Sequence, residues 1–215
     1  MDNLILVVFF CIVIPIGLTL FLVDKKSRMT LGFLILGMCA CLFISAVNSF
    51  ILKITNFDRV YVTTNLTPVT EELIKFFVIF CFAVFVSRKT EELINVSLAT
   101  GIGFAIFENV VLILSGSGSS NLAWAITRSF AASLMHGVCT ALVGYGLSFV
   151  GKKRKFLVSG TFALLTAAIS YHAIFNVLVQ SEYSYIGFVM PLLTYIPFII
   201  AYRQQKKGSG DPNSS

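Results

Sequence analysis

Hydrophobic residues occur in long runs along this chain, separated by short polar or charged segments. Most runs are roughly 18 to 25 residues long, which is the length of helix that crosses a hydrocarbon core of ~30 Å at ~1.5 Å per residue. The pattern predicts seven membrane-spanning helices, near residues 4–23, 30–53, 69–86, 96–114, 122–150, 156–178 and 183–202. We therefore expect an all-α fold, a polytopic membrane protein built as a bundle of about seven transmembrane helices.

The composition agrees with this pattern, because 57% of the 215 residues are hydrophobic and 12% are charged. Soluble domains carry about 25% charged residues. We expect a single transmembrane helical domain over residues 1–207. The polar segment 208–215 has the composition of a vector-derived tail, and the first span lacks the basic start and cleavage site of a removable signal peptide.

Basic residues lie mostly in the segments on one side of the predicted spans. The residues on that side are Lys25, Lys26, Arg28, Arg88, Lys89, Lys152, Lys153, Arg154, Lys155, Arg203, Lys206 and Lys207. Because cytoplasmic loops are rich in Lys and Arg, we expect a multi-pass protein of the cell membrane with its N-terminus outside and its C-terminus in the cytoplasm. The net charge of +6 then reflects topology and contact with the lipid bilayer, and it indicates no nucleic-acid partner.

A few ionisable and amide side chains interrupt the apolar spans: Glu71, Glu72, Lys75, Glu108, Arg128, His136, His172 and Asn176. A charge at the bilayer centre costs about 2.5 to 3.5 kcal/mol on insertion scales, so such residues usually face the bundle interior and belong to a functional site. Counted from the outer ends of the spans, all except His136 fall within the outer ~10 Å of the membrane. Tilt of the long fifth span could bring His136 into the same layer.

Residue spacing predicts which way these side chains face. Ser97, Gly101 and Ala105 form a stripe of small residues suited to close helix packing, and Glu108 returns to almost the same face. His172 and Asn176 lie four residues apart and share a face. We therefore expect these polar residues to face protein.

The sequence Thr-Glu-Glu-Leu-Ile occurs at 70–74 and again at 90–94. Thr67 and Pro68 suit an N-cap and a first helical turn, which places the first glutamate pair at the outer start of a span. We expect Glu91 and Glu92 of the second copy to lie in a cytoplasmic loop, paired with neighbouring basic residues.

Carboxylates, imidazoles, an amide and basic groups in one wet pocket suit hydrolysis. A carboxylate could take a proton from water, while imidazole, amide or guanidinium donors stabilise an oxyanion. Alternatively, Zn²⁺ could be the cofactor, with a bound water. The ligands in that case would be Glu71, Glu108, His136 and His172.

Other classes of function are less well supported by the residues. The aspartates lie outside the spans and exclude an intramembrane aspartyl pair, and neither HExxH nor GxSxG is present. A proton- or ion-coupled transporter stays an alternative, since intramembrane charges also build relays, but the chain shows no paired half-sequences. A non-catalytic membrane scaffold is a third alternative.

Four motifs occur in order on consecutive spans: EExxK (Glu71 to Lys75), FxxxEN (Phe104 to Asn109), Arg128 followed by His136, and HxxxN (His172 to Asn176). Over residues 65–180 they resemble the PrsW family of intramembrane proteases, which is related to the CAAX prenyl endopeptidase/Abi superfamily. The resemblance implies an endopeptidase that cuts a membrane-anchored protein near the outer leaflet, such as an anti-sigma factor in stress signalling. A CAAX-type prenyl protease-like enzyme is the related alternative.

The resemblance also implies roles for individual residues. Glu71 becomes the expected base, and Glu72 becomes its partner or an orienting group tied to Lys75. His172 and Asn176 become the oxyanion donors. The expected catalytic residues are Glu71, Glu72, Glu108, His136, His172 and Asn176. The expected supporting residues are Lys75, Asn109 and Arg128. Glu108 stands where the relatives' FxxxH motif has a histidine, so glutamate-only and metal-dependent mechanisms both stay open.

Overall fold

The computed structural model describes residues 3–116, 121–149 and 154–208, and no strand occurs among them. The helices are α1 (Asn3–Thr19), α2 (Lys25–Ile54), α3 (Arg59–Tyr61), α4 (Thr67–Phe85), α5 (Thr90–Leu114), α6 (Leu122–Ser148), α7 (Arg154–Val179) and α8 (Ser184–Gly208). A π-helical turn, Val62–Leu66, joins α3 to α4. The predicted all-α fold class is confirmed.

Five helices of the described chain are long and apolar enough to cross a membrane, within Lys25–Ile54, Thr90–Leu114, Leu122–Ser148, Gly160–Val179 and Ser184–Gln204. The remaining two predicted spans correspond to α1, an apolar helix of 17 residues, and α4, a helix of 19 residues that carries buried charges. The protein is therefore a multi-pass membrane protein. Its orientation and its single-domain organisation stay predictions, and Lys152, Lys153 and tail residues 209–215 lie outside the described residues.

The start of α4 differs from the prediction of an N-cap at Thr67. Leu66 precedes the helix in a helical conformation with no side-chain cap, and the Thr67 amide donates to the Val62 carbonyl of the π-helical turn. Because the turn runs directly into the helix, the chain satisfies this amide through its backbone and needs no Thr67 cap. Pro68 lies in the first turn of α4, as predicted.

Small residues let α5 lie at the centre of the bundle, between α2 and α6. A Cβ atom at Gly101 would collide with the His136 carbonyl of α6, and one at Gly103 would collide with the Leu34 backbone of α2. Close approach of backbones through small residues is the usual way in which membrane helices pack tightly. The small-residue stripe of α5 therefore sets the distance between two helices that carry polar groups, α5 and α6.

Gly101→Ala is expected to lower the free energy of unfolding by about 1 to 3 kcal/mol, because the added methyl group meets backbone atoms that cannot rotate away. Thermal unfolding in detergent measures this change. Gly32→Ala in α2 is the matched control, since nothing lies within 4 Å of a Cβ there. Equal stability of the two variants would contradict the packing assigned to Gly101.

The second glutamate pair lies in the first turn of α5, and the prediction of a loop was wrong. The helix begins at Thr90, because acidic side chains favour the exposed N–H groups of a helix start. Glu92 contacts Lys89 at 3.4 Å, as expected for neighbouring basic residues, and Glu91 contacts Lys26 of α2 at 3.7 Å. This pair therefore joins two helix ends, far from the polar residues of the bundle interior.

Candidate active site

Helices α4 to α7 bring a group of ionisable side chains together inside the bundle. The residues are Glu71, Glu72, Lys75, Glu108, His136 and His172. The side chains of four of them, including both histidines, are fully buried, whereas Glu108 is 17% exposed. His136 is the one residue that the depth count placed outside the outer ~10 Å of the membrane. The structure brings it into contact with Lys75 and Glu108.

Glu72 binds two neighbours through a single oxygen atom. Its Oε1 accepts a hydrogen bond from Lys75 Nζ at 2.6 Å, and it lies 2.9 Å from His172 Nδ1. Since a carboxylate only accepts, His172 Nδ1 carries the proton. The Nε2 atom of a neutral His172 ring is then an acceptor, and it faces away from Glu72.

His136 uses both ring nitrogens. Lys75 Nζ lies 2.8 Å from Nδ1, and an ammonium group only donates, so the neutral ring carries its proton on Nε2. That Nε2 lies 3.1 Å from Glu108 Oε2, to which it donates, and Arg128 donates to the other Glu108 oxygen at 3.2 Å. The centroid of the Phe104 ring lies 4.5 Å from Lys75 Nζ, so the ring makes a cation–π contact with the ammonium group.

An open part of the cluster lies between Glu71 and His172, and Glu72 Oε2 and Arg128 Nε are likewise buried without a hydrogen-bond partner among the described residues. Glu71 Oε2 and His172 Nε2 lie 3.7 Å apart, and both are buried with no hydrogen-bond partner among the described residues. When Glu71 is ionised and His172 is protonated on Nδ1, two acceptor atoms face each other across this gap. Such a pair needs a cation or the hydrogens of a water molecule between its members.

The gap has the dimensions of a metal site. Glu71, His136 and His172 each offer one ligand atom, and these atoms lie within 4.8 Å of one another. Ligands bound to tetrahedral zinc at ~2.0 to 2.1 Å lie roughly 3.3 Å apart, which is close to the spacing of Glu71 Oε2 and His172 Nε2. The Nδ1–H contact of His172 with Glu72 is also the usual arrangement behind a metal-binding histidine. The donors therefore fit a metal ion, although His136 must release one of its two hydrogen bonds to take part.

The three ligand atoms that lie within 4.8 Å of one another do not include one from Glu108, which the predicted set of four ligands contains. Its two carboxylate oxygens bind Arg128 and His136. The guanidinium group stands on α6, eight residues before His136, and the motif pattern alone does not show that it engages Glu108. Glu108 thus links His136 to Arg128 through its two oxygens.

Asn176, the second predicted oxyanion donor, makes its hydrogen bond outside the ionisable cluster. Its Nδ2 donates to the Thr63 carbonyl of the π-helical turn at 2.9 Å. Gln180 Nε2 donates to the Asn176 carbonyl at 2.9 Å, and Thr63 Oγ1 donates to Gln180 Oε1 at 3.1 Å. Asn109 is buried, and its side chain has no hydrogen bond to the cluster within the described chain.

Sequence reasoning named Phe104 only as the first residue of the FxxxEN motif, and it did not single out Thr63 or Gln180. The position of Phe104 in the cluster could have been predicted, because it lies four residues before Glu108 and therefore on the same face of α5. Thr63 and Gln180 are 117 residues apart and carry no pattern that links them. Only the fold brings them together.

Comparison with known proteins identifies the family. A family model described as PrsW family intramembrane metalloprotease matches residues 25–202. The chain belongs to the PrsW family. Neither the curated proteins nor the solved structures give a match.

Membership in the PrsW family makes this protein an intramembrane protease. The family description agrees with the buried Glu71, His136 and His172 group, which has the donor types and spacing of a metal site. Most motif residues of this PrsW protein therefore converge in one buried cluster within helices α4 to α7. Within the EExxK motif, Glu72 forms an ion pair with Lys75, whereas Glu71 lies beside His172.

Proposed function

We propose that this PrsW-family protein hydrolyses a peptide bond in a membrane-anchored protein near the outer surface of the membrane, as in the release of an anti-sigma factor. The open pair of acceptor atoms, Glu71 Oε2 and His172 Nε2, carries the proposal. Both are buried polar atoms whose desolvation is uncompensated within the described chain. In the proposal, a substrate or a cofactor supplies the partner that these two atoms lack within the described chain.

We assign the metal ligands to Glu71, His136 and His172, and Zn²⁺ suits this set of oxygen and nitrogen donors. When bound, the ion would polarise the scissile carbonyl and increase the acidity of a water molecule. Glu71 Oε2 holds its position beside His172 Nε2, and its second oxygen is available to receive a proton from water.

The remaining charged residues position this reactive pair. Glu72 holds the His172 ring through Nδ1–H, so that Nε2 points to Glu71. Lys75 keeps the Glu72 charge compensated in the interior. In the proposal, this buried ion pair serves to fix the orientation of the His172 imidazole.

In the same way, the ion pair of Glu108 and Arg128 orients the His136 ring. Arg128 holds one Glu108 oxygen, and the other receives the His136 Nε2 proton. Because this pair is the more exposed part of the cluster, it is also the part that approaches water and substrate. In the proposal, Glu108 and Arg128 therefore orient His136 and take no direct part in the hydrolysis.

His172→Ala is expected to lower cleavage of a membrane-anchored peptide substrate by at least about 100-fold, more than the usual loss on removing an outer-shell partner. Purified protein in liposomes, with product detected by mass spectrometry, measures this activity. Elemental analysis of the same protein should show less bound metal than wild type. Asn95→Ala, at a hydrogen bond to Tyr202 outside the cluster, is the control that should keep both metal and activity.

Three outcomes separate the parts of this proposal. Unchanged cleavage by His172→Ala, or proton or ion flux with no cleavage by wild type, would overturn the peptidase site. Full activity of protein from which a chelator has removed the metal would overturn only the assignment of metal ligands. The proposal of a peptidase would then stand with Glu71 as the catalytic base.

Gln180→Ala is expected to reduce cleavage severalfold and to lower the free energy of unfolding by about 1 kcal/mol, because it removes the hydrogen bonds of Gln180 with Thr63 Oγ1 and with the main-chain carbonyl of Asn176. This result would follow if Asn176 acts by holding the π-helical turn ahead of Glu71. Cleavage and thermal unfolding of Gln180→Ala and Asn176→Ala test it side by side. Full activity of Gln180→Ala together with an inactive Asn176→Ala would instead support the oxyanion role predicted for Asn176.

A further inference from the structure

An apolar groove of about 630 Å³ lies between α2 and α4, away from the ionisable cluster. Its walls include Leu36 of α2 and Phe77 and Phe85 of α4. These three side chains are 44%, 59% and 81% exposed. Lys25 and Arg28 line one end of the groove, and the rest of the lining is hydrophobic.

The length of the groove matches one leaflet of a bilayer. Its lining on α2 extends from Lys25 to Leu36, which is about 16 Å along a helix. Half of a ~30 Å hydrocarbon core is roughly 15 Å. An acyl chain of one leaflet fits this length, whereas a partner helix that crosses the membrane needs about twice as much.

The charge at the end of the groove favours an anion. Lys25 makes no ion pair within 4 Å in the described chain, although its charge acts on Glu92, and Arg28 donates to the Val23 carbonyl at 3.2 Å. The nearby acids have other partners. Their contacts are Glu91 with Lys26, Glu92 with Lys89, and Asp24 with the Ser27 amide at the start of α2. Two basic side chains at the end of an apolar groove are therefore positioned for the phosphate of a lipid.

We propose that this groove binds an anionic phospholipid, with an acyl chain between α2 and α4 and the phosphate at Lys25 and Arg28. The lipid covers the exposed half of α4 that follows the ionisable cluster, and it supports the helix that carries Glu71 and Glu72. The inference rests on the groove and its charges, and it is independent of the proposed peptide-bond chemistry.

Lipid binding is measured on the purified full chain by native mass spectrometry in detergent, with phosphatidylglycerol and phosphatidylcholine that carry the same acyl chains. We expect phosphatidylglycerol to bind roughly tenfold more tightly, because of two basic residues at the headgroup. Lys25→Gln/Arg28→Gln should remove this preference. Lys53→Gln/Arg59→Gln, an exposed basic pair outside the groove, is the matched control and should keep it.

The groove itself is tested by Leu36→Trp, in which the indole ring is larger than the leucine side chain and fills the space for the acyl chain. We expect weaker binding of both lipids, with unfolding temperature in lipid-free detergent unchanged because Leu36 is partly exposed. Equal binding of the two lipids by wild type, or an equal loss of preference in both charge variants, would overturn the proposal. Wild-type affinity in Leu36→Trp would overturn it as well.

Cys81 lines the groove and reports on the identity of its occupant. Phosphatidylglycerol is expected to slow alkylation of Cys81 by N-ethylmaleimide severalfold, with no effect on the exposed Cys39 of α2, which is the internal control. Peptide mapping distinguishes the two sites. Protection of Cys81 by a membrane-anchored peptide substrate, without protection by phosphatidylglycerol, would assign the groove to a substrate helix and overturn the lipid proposal.

Discussion

Glu71→Gln is expected to abolish peptide-bond cleavage while the protein stays folded. Glu71 Oε2 is buried, makes no hydrogen bond in the described chain, and lies 3.7 Å from His172 Nε2. Glutamine has nearly the same shape, but it accepts no proton from water and is a weaker ligand than a carboxylate. Loss of a positioned general base typically costs 10² to 10⁴-fold in rate, so we expect a decrease of roughly that size.

Cleavage of a membrane-anchored peptide in liposomes measures the effect of Glu71→Gln, and thermal unfolding in detergent establishes that the variant is folded. Glu91→Gln is the matched control, because it changes the equivalent glutamate of the second Thr-Glu-Glu-Leu-Ile copy, at the exposed start of α5. We expect wild-type cleavage from this control. A folded Glu71→Gln protein with wild-type activity would exclude Glu71 as both base and ligand.

The membrane-spanning architecture was predictable because the bilayer imposes it. Apolar runs must form helices in lipid, since every backbone N–H and C=O needs a partner within its own segment. The observed helices follow the predicted spans closely for this reason. The clearest extension beyond the prediction is at α5, where Thr90 starts the helix ahead of the apolar run and Glu91 and Glu92 form its first turn.

Convergence of the polar residues was also predictable, because an isolated charge within a span is too costly to face lipid. Helical spacing, however, shows only which residues share a face. Asn176 shares its face with His172, yet its amide donates to Thr63. The acceptor is the main-chain carbonyl of Thr63, which belongs to the π-helical turn Val62–Leu66. No residue pattern in that segment predicts a π-helical turn.

Residue spacing also could not predict which of the two glutamates of EExxK forms the ion pair with Lys75. Lys75 lies at i+4 from Glu71 and at i+3 from Glu72, and helical ion pairs form at either distance. The contact at 2.6 Å is with Glu72. The choice follows from tertiary packing, because His172 on α7 binds the same Glu72 oxygen that receives the lysine.

Glu72→Gln is expected to lower the free energy of unfolding by about 3 to 5 kcal/mol, the usual cost of removing one member of a buried ion pair. Lys75 is fully buried, and Glu72 is its anionic partner within 4 Å. The neutral amide would leave the ammonium charge uncompensated, and His136 Nδ1 offers it only a neutral acceptor. Thermal unfolding in detergent measures the loss.

A double variant separates the stability of this ion pair from its part in catalysis. Glu72→Met/Lys75→Met removes both charges and fills the space with flexible apolar side chains, so we expect it to be more stable than Glu72→Gln. It should still cleave substrate slowly, because His172 Nδ1–H loses the acceptor that turns Nε2 toward Glu71. Wild-type stability of Glu72→Gln would contradict the buried ion pair. Wild-type cleavage by the double variant would show that the His172 ring is held by its packing and that Glu72 is dispensable for its orientation.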